Sequence, residues 1–371
     1  MRAALAASLE GCVQCATPSP FEARKSSHLR MTASQVEKPP VMISPNLPAE
    51  LQAALARKAE GLSRADAAQR ADVISQTYRS GGSSSRIRTR ADALAYALAR
   101  MPGTYAAVAA SLNALMEIDP DFAPLSLLDI GAGPGTATWA ASEAFTSLET
   151  FTLLDANTAL RDLATDLVTS QPRLETLRYD ADDARKALAD ATEADLVVAS
   201  YVINELSESE RGAFADALWA KTRNILLVVE PGTPAGYSHI IALRDRLVGQ
   251  GAYVIAPCPH DGACPLIAPD WCHFTQRLQR SRAHKHLKAA DLPYEDEKFS
   301  YVILSRALPA ERPARVLAQP LVTKIAVTAK ICTPDGIKAA IVPHRDKAAY
   351  KRAKKWNWGD AIFSGNDGAP E

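Results

Sequence analysis

The chain has 371 residues, 47% of them hydrophobic, 6% aromatic and 23% charged, with 42 Lys+Arg against 42 Asp+Glu. That length and balance exclude a wholly disordered or collagen-like chain and leave room for two or three structural units around a sizeable core. No apolar run approaches the roughly 18–20 residues that a membrane helix needs, and six cysteines in so long a chain do not make a disulfide scaffold.

Residues 1–45 are rich in Ser, Pro and charge and read as a disordered tail. Arg24, Lys25 and Arg30 lie among serines as in a mitochondrial leader, Glu10 and Glu22 oppose that reading, and Met31 or Met42 would serve equally as a start. The expectation is a cytoplasmic protein, mitochondrial if the source is eukaryotic, with no membrane partner. Cys12 and Cys15 form a lone CxxC and are assigned no metal or redox role. From 46 to 118 apolar residues recur at helical spacing (Leu51, Ala54, Leu55; Ala67, Ala71, Ile74; Leu94, Leu98, Met101), which predicts an N-terminal helical region. Within it the Gly- and Ser-rich stretch 79–90 carries Arg79, Arg86, Arg88 and Arg90, and reads either as an RNA-touching loop or as a solvated linker.

From residue 125 the rhythm changes. Short apolar runs at 126–130, 151–154, 196–200, 225–229 and 301–304 alternate with helical stretches at 136–145, 158–170, 209–218 and 237–248. This predicts a doubly wound parallel sheet of the α/β class over 119–306. The first run ends in Leu127-Leu-Asp-Ile-Gly-Ala-Gly-Pro-Gly-Thr136. Gly131, Gly133 and Gly135 let the backbone turn tightly and approach a ligand, and the helix that follows offers free N–H groups. The spacing is GxGxG after Asp129, not the GxGxxG of dinucleotide sites. It resembles the first motif of class I methyltransferases that use S-adenosylmethionine (SAM). Asp155 ends the next strand, where a carboxylate can hold ribose hydroxyls. In Tyr179-Asp-Ala-Asp182, after a further putative strand between the runs at 151–154 and 196–200, Asp182 stands where such enzymes place an acid beside the adenine amine. After the fourth, Asn204 and Glu205 are candidate contacts to a methyl acceptor, although helix capping explains them equally well. There is no Asn-Pro-Pro-Tyr or Asp-Pro-Pro-Tyr sequence, so catalytic residues stay unassigned beyond these two. Methyl transfer needs mainly alignment of nucleophile and sulfonium, so a plain site does not exclude activity.

Cys258, Cys264 and Cys272 fall in a Pro- and Gly-rich loop, and Cys332 comes much later. Four thiols in this pattern can meet around one metal centre. The spacing C-x5-C-x7-C lacks the two-residue knuckles of structural zinc sites. Cys-Pro occurs at Cys258 and Cys264, and a Cys-Pro end also marks ferredoxin cluster runs. On this chemistry zinc and iron–sulfur both stay open, with His260 and His273 as rival ligands or supporting donors.

Residues 315–317, 322–330 and 337–342, with a Pro334-Asp335-Gly336 turn, predict a small β module over 307–363. Charge is uneven: residues 1–272 hold 24 Lys+Arg and 32 Asp+Glu, residues 273–360 hold 18 and 8. A basic C-terminal third points to a polyanionic partner. Lys347, Lys351, Arg352, Lys354 and Lys355 beside Trp356 and Trp358 would put cations next to stacking surfaces; a terminal helix docking its tryptophans on the core would read the same way.

Together, Leu128-Asp-Ile-Gly-Ala-Gly-Pro-Gly-Thr136, Ser200-Tyr-Val-Ile-Asn-Glu-Leu206, Val229-Glu-Pro-Gly-Thr-Pro-Ala-Gly236, Cys258-Pro-His-Asp-Gly-Ala-Cys-Pro265, Asp270-Trp-Cys-His-Phe274, Cys332-Thr-Pro-Asp-Gly336 and Ala353-Lys-Lys-Trp-Asn-Trp-Gly-Asp360 resemble the Rsm-twenty-two family. These are ribosomal small-subunit methyltransferase-like proteins of bacteria and mitochondria, and the likeness runs from about residue 45 to 363. The resemblance implies a class I SAM fold, association with the small ribosomal subunit and its rRNA, and a 4Fe–4S cluster on Cys258, Cys264, Cys272 and Cys332. An active rRNA methyltransferase and a non-catalytic RNA-binding assembly factor are both consistent with it. A monomer is expected.

Overall fold

The computed structural model describes residues 42–79, 82–169, 171–180, 184–288 and 291–363; Cys12, Cys15 and most of the predicted tail fall outside them. The first elements are α1 (Ala49–Ala59), α2 (Arg64–Arg79) and α3 (Arg90–Ile118). α3 begins at a capping box in which the Thr89 hydroxyl accepts the Asp92 amide and the Asp92 carboxylate accepts the Thr89 amide. Arg70 ties α2 to this cap, 2.8 Å from Asp66 and 2.6 Å from Asp92. Buried Ala93, Ala95, Ala97, Ala106, Ala107 and Ala109 let neighbouring backbones approach α3 closely. Leu51, Leu94, Met101, Tyr105 and Leu112 therefore share one core with Leu127, Phe151, Leu196 and Leu227 of the sheet.

The sheet strands are β1 (Ser126–Ile130), β2 (Thr150–Leu154), β3 (Leu177–Asp180), β4 (Ala194–Ser200), β5 (Thr222–Pro231), β6 (Tyr253–Ala256), β7 (Phe274–Gln279) and β8 (Tyr294–Ser305). Between them run α4 (Thr136–Ala144), α5 (Thr158–Val168), α6 (Ala184–Asp190), α7 (Glu208–Lys221), α8 (Pro234–Val248) and α9 (Arg282–Leu287). Strand order is β3-β2-β1-β4-β5-β8-β6, parallel from β3 to β5 and antiparallel at β8. β8 is long enough to serve two sets of partners. Its first half pairs with β7, Phe274 opposite Phe299, and its second half with β5 and β6. β4 and the central part of β5 are almost wholly buried because helices cover both faces, and they read in sequence as continuous apolar runs. This order, with one reversed strand next to the last, is that of the class I SAM-dependent methyltransferases. In such a sheet ligands sit beyond the carboxyl ends of the strands where the order turns back, here between β1 and β4.

A second sheet follows: β9 (Ala314–Val316), β10 (Leu321–Val322), β11 (Ala326–Thr333), β12 (Gly336–Pro343) and β13 (Ala361–Ile362), with α10 (Lys347–Ala353) before the last strand. The single strand predicted over 322–330 is divided, because the Thr323 hydroxyl accepts the amides of Ile325 and Ala326 and turns the chain there. The predicted turn joins β11 to β12, with Gly336 at φ +120°. Of the two readings of the tail tryptophans, the structure has the docked one: Trp356 is buried with Val316, Val327 and Tyr350, and Trp358 donates its indole N–H to His273 O at 2.9 Å. Both dock on the protein, while Lys351, Arg352, Lys354 and Lys355 stay exposed.

Candidate functional site

The chain leaves β1 through Gly131, Gly133 and Gly135, at φ +67°, +54° and +78°. These left-handed values are what glycine permits and other residues resist. A Cβ at Gly131 would stand 2.6 Å from Val202, whereas one at Gly133 would meet nothing nearer than Leu160 at 3.9 Å. The loop is thus pinned at its first glycine and open at its second. Asp155, just past β2, holds it there: Oδ2 accepts the Gly133 amide at 2.9 Å and Oδ1 accepts the Asn157 amide at 2.8 Å. The Tyr179 hydroxyl donates to Gly133 O at 2.8 Å. Burial raises the Asp155 pKa against the pull of those amides.

Asp129 takes a different place from the one its motif position suggests. It is fully buried behind the loop, where Oδ2 accepts the Thr138 amide at 3.1 Å and the Thr138 hydroxyl at 2.8 Å. Its Oδ1 has no partner, and burial pushes its carboxyl up to about 7. Asp129 therefore anchors the start of α4 rather than facing the cleft. Asp182 lies outside the described residues; Asp180, at the end of β3, accepts the Asp155 amide on its carbonyl at 3.3 Å.

Gly131, Gly133, Asp155, Asn204 and Glu205 line a common cleft of about 1250 Å3, which α2 and α3 wall off with Tyr78, Tyr96 and Arg100. Glu205 accepts the Ser84 amide at 3.3 Å and a hydrogen bond from Tyr78, and burial pushes its carboxyl up to about 7. From the other side Asn157 Nδ2 donates to Ser84 O at 3.0 Å and Ile87 O at 2.9 Å. Part of the arginine-rich stretch is thus strapped to the rim of the cleft by Glu205, which lines it, and by Asn157, two residues past Asp155.

Tyr78, Tyr96, Arg100 and Tyr201 all escaped the sequence reading. Tyr201, the first residue after β4, sits at φ +59°, and its hydroxyl donates to Glu297 Oε1 at 3.0 Å, with Arg100 3.8 Å from the same oxygen. A left-handed tyrosine is strained unless its surroundings impose it. The imposing partner lies 96 residues downstream, and no local pattern announces it.

Cys258, Cys264, Cys272 and Cys332 line one pocket, with Tyr237 and Arg244 of α8. Three come from the loop after β6 and the fourth from β11, so the pocket joins the two sheets. The Tyr237 hydroxyl lies 3.1 Å from Cys264 Sγ. Burial raises the thiols of Cys258 and Cys272 and pushes Cys332 up to about 12, with neighbouring thiolates adding to the effect. His260 Nε2 stands 4.0 Å from Cys332 Sγ. His273 instead stacks on Trp271 and meets Trp358 edge-on, so of the two rival histidines His260 is the one at the pocket. Among the described residues no three His, Cys, Asp or Glu side chains are grouped closely enough to hold one metal ion.

A family described as "Mitochondrial small ribosomal subunit Rsm22" matches residues 90–363. The human protein "Ribosome assembly protein METTL17, mitochondrial" is 31% identical over 293 residues, 72% of this chain and 62% of that protein. Two Rsm22-cox11 tandem proteins of Schizosaccharomyces pombe, both mitochondrial, are 26% identical over 346 residues, 75% of this chain and 44% of theirs. The chain therefore spans less than two thirds of the length of these relatives. Among solved structures, magnesium protoporphyrin IX methyltransferase from Synechocystis PCC 6803 is 13% identical at a TM-score of 0.36, over 55% of this chain and 84% of that one; the fold assignment rests on the strand order and not on this likeness. The stretch matched by the family takes in the glycine loop, Asp155 and all four pocket cysteines, and on it the chain belongs to the Rsm22 family.

Proposed function

We propose that this protein binds SAM over Gly131–Gly135 and works at the small ribosomal subunit, on or against its rRNA, during assembly or translation, with a 4Fe–4S cluster on Cys258, Cys264, Cys272 and Cys332. The observation that carries it is the Gly133–Asp155 bond on the wall of the cleft, within a chain whose relatives are named for ribosome assembly and the small subunit. Asp155 keeps lone pairs free for ribose hydroxyls, and Asp182 would serve the adenine amine. The first amides of α4 have no partner within the helix and suit the anionic end of an amino acid. When bound, SAM supplies an electrophilic methyl group; Tyr78, Tyr96 and Tyr201 line the same cleft.

Four cysteines lining one pocket suit a cluster, and the Cys-Pro steps at Cys258 and Cys264 favour it over zinc. Iron would also reverse the cost of ionising buried thiols, since a coordinating thiol is deprotonated outright. A cytoplasmic site, or a mitochondrial one in a eukaryote, and a monomeric state complete the proposal.

A second reading, assembly without methyl transfer, is favoured by Glu205: its carboxylate is engaged by Ser84 and Tyr78 and so serves as a strut. Mapping rRNA methylation in a deletion strain beside a Gly133→Arg strain separates the two. A methyl mark missing from both supports turnover. An assembly defect in the deletion strain alone, with every mark intact, supports the second reading, and normal subunits in both would overturn the ribosomal proposal.

A further inference from the structure

Two arginines are buried beside the cysteine pocket. Arg244, 1% exposed, donates from Nη2 to His260 O at 2.8 Å and Gly262 O at 2.7 Å, and its Nη1 meets Asp245 at 2.5 Å. Its Nε has no acceptor. It lines the pocket and lies against Cys258, where its charge and hydrogen bonding favour the thiolate. Arg315, equally buried, stands directly opposite Cys332 in the β9–β11 register, so the two side chains share a face. Its Nη1 donates to Gly359 O at 2.9 Å, the Glu117 carboxylate is 4.0 Å away, and its Nε also lacks an acceptor. Its charge reaches Cys272.

Burying a guanidinium without full pairing is costly. Asp245 and Glu117 each face one of these guanidiniums, but both Nε atoms lack an acceptor and four neutral thiols add no countercharge. Four thiolates around an iron–sulfur core of charge +2 carry a net −2, which the two guanidiniums beside the pocket attract.

We infer that Arg244 and Arg315 are the counter-charges of the cysteine-bound centre, positioning residues whose two buried cations offset its negative charge and favour its reduced state. The inference rests on the cluster reading above. Taking one electron from an added reductant moves the centre from −2 to −3, so deleting a neighbouring cation opposes that step.

The test uses full-length protein purified anaerobically, wild type beside Arg244→Met, Arg315→Met, Arg244→Lys and Arg315→Lys. Iron and acid-labile sulfide are assayed first, then the midpoint potential by dithionite titration followed by electron paramagnetic resonance. Each Met variant is expected to be about tenfold harder to reduce, equivalent to about 59 mV for one electron, with each Lys variant within about twofold of wild type. A Met variant that sheds iron while its Lys counterpart keeps it supports the same assignment. Met variants that retain both iron and the wild-type potential overturn it, as do Lys variants that lose iron as readily as Met, because shape would then matter and not charge. Wild-type protein without iron defeats the cluster reading itself, before any variant is measured, and the inference falls with it.

Discussion

Asp155 accepts the Gly133 amide at 2.9 Å and both residues line the cleft, so the carboxylate placed to hold a ribose also fixes the loop that would cradle the rest of the ligand. Asp155→Ala is expected to weaken SAM binding by roughly 1–3 kcal/mol, the range for a hydrogen bond to a charged group. Gly133→Arg should abolish it, since the new side chain enters the cleft rather than the core. Titration calorimetry on intact, metal-loaded protein checks both; wild-type affinity in Asp155→Ala would contradict this placement.

Cys332 is the one pocket thiol carried by the second sheet. Cys332→Ser is expected to bleach anaerobically prepared protein and to expose the 307–363 segment to limited proteolysis, because the tie between the two sheets is broken. Stoichiometric zinc without acid-labile sulfide in the wild type would defeat the iron–sulfur assignment and leave the tie standing.

Asp129 holds its proton more tightly when folded, at about 7 against 3.8. Its contribution to stability is therefore full below about pH 4 and is lost as pH rises to about 7. Asp129→Asn mimics the protonated acid and keeps an acceptor for Thr138, so it should flatten that decline and raise stability at pH 7. The gain is roughly 1.4 kcal/mol for each pH unit that separates the folded and unfolded pKa values. Urea unfolding at pH 4, 5.5 and 7 reads this directly, and an unchanged pH slope would show that Asp129 is ionised in the folded protein.

The tail separates charge from packing. Reversing Lys351, Arg352, Lys354 and Lys355 should lower both rRNA affinity and the steepness of its salt dependence, by up to about 0.7–0.9 in slope for each phosphate no longer neutralised, with SAM binding intact. Trp356→Ala should instead destabilise the second sheet by about 3–5 kcal/mol. Filter binding at several salt concentrations, set beside thermal unfolding, distinguishes the two effects.

Much of the frame was legible because its signals are local. Apolar runs alternating with helical stretches announced β1, β2, β4 and β5 but not that the run at 301–304 pairs antiparallel, the glycines at 131, 133 and 135 announced a turn that needs positive φ, and Pro334-Asp335-Gly336 announced the β11–β12 hairpin. What stayed hidden depends on contacts distant in sequence. Nothing near Tyr201 points to Glu297, nothing near Glu205 points to Ser84, and a tryptophan beside lysines looks alike whether it stacks on a base or docks on Val316. The short strands β6 and β7 flank the cysteine loop, whose prolines and glycines masked them, and β7 owes its place to pairing with β8. Asp129 shows a motif position whose identity was plain and whose role was not, because burial decides it.

Sedimentation of wild-type protein with immature small ribosomal subunits tests the central claim most directly. The protein is expected to travel with those particles at moderate salt and to leave them as salt rises, since phosphate contacts release counterions. Protein that stays at the top of the gradient while methylating a free small molecule would contradict the ribosomal account.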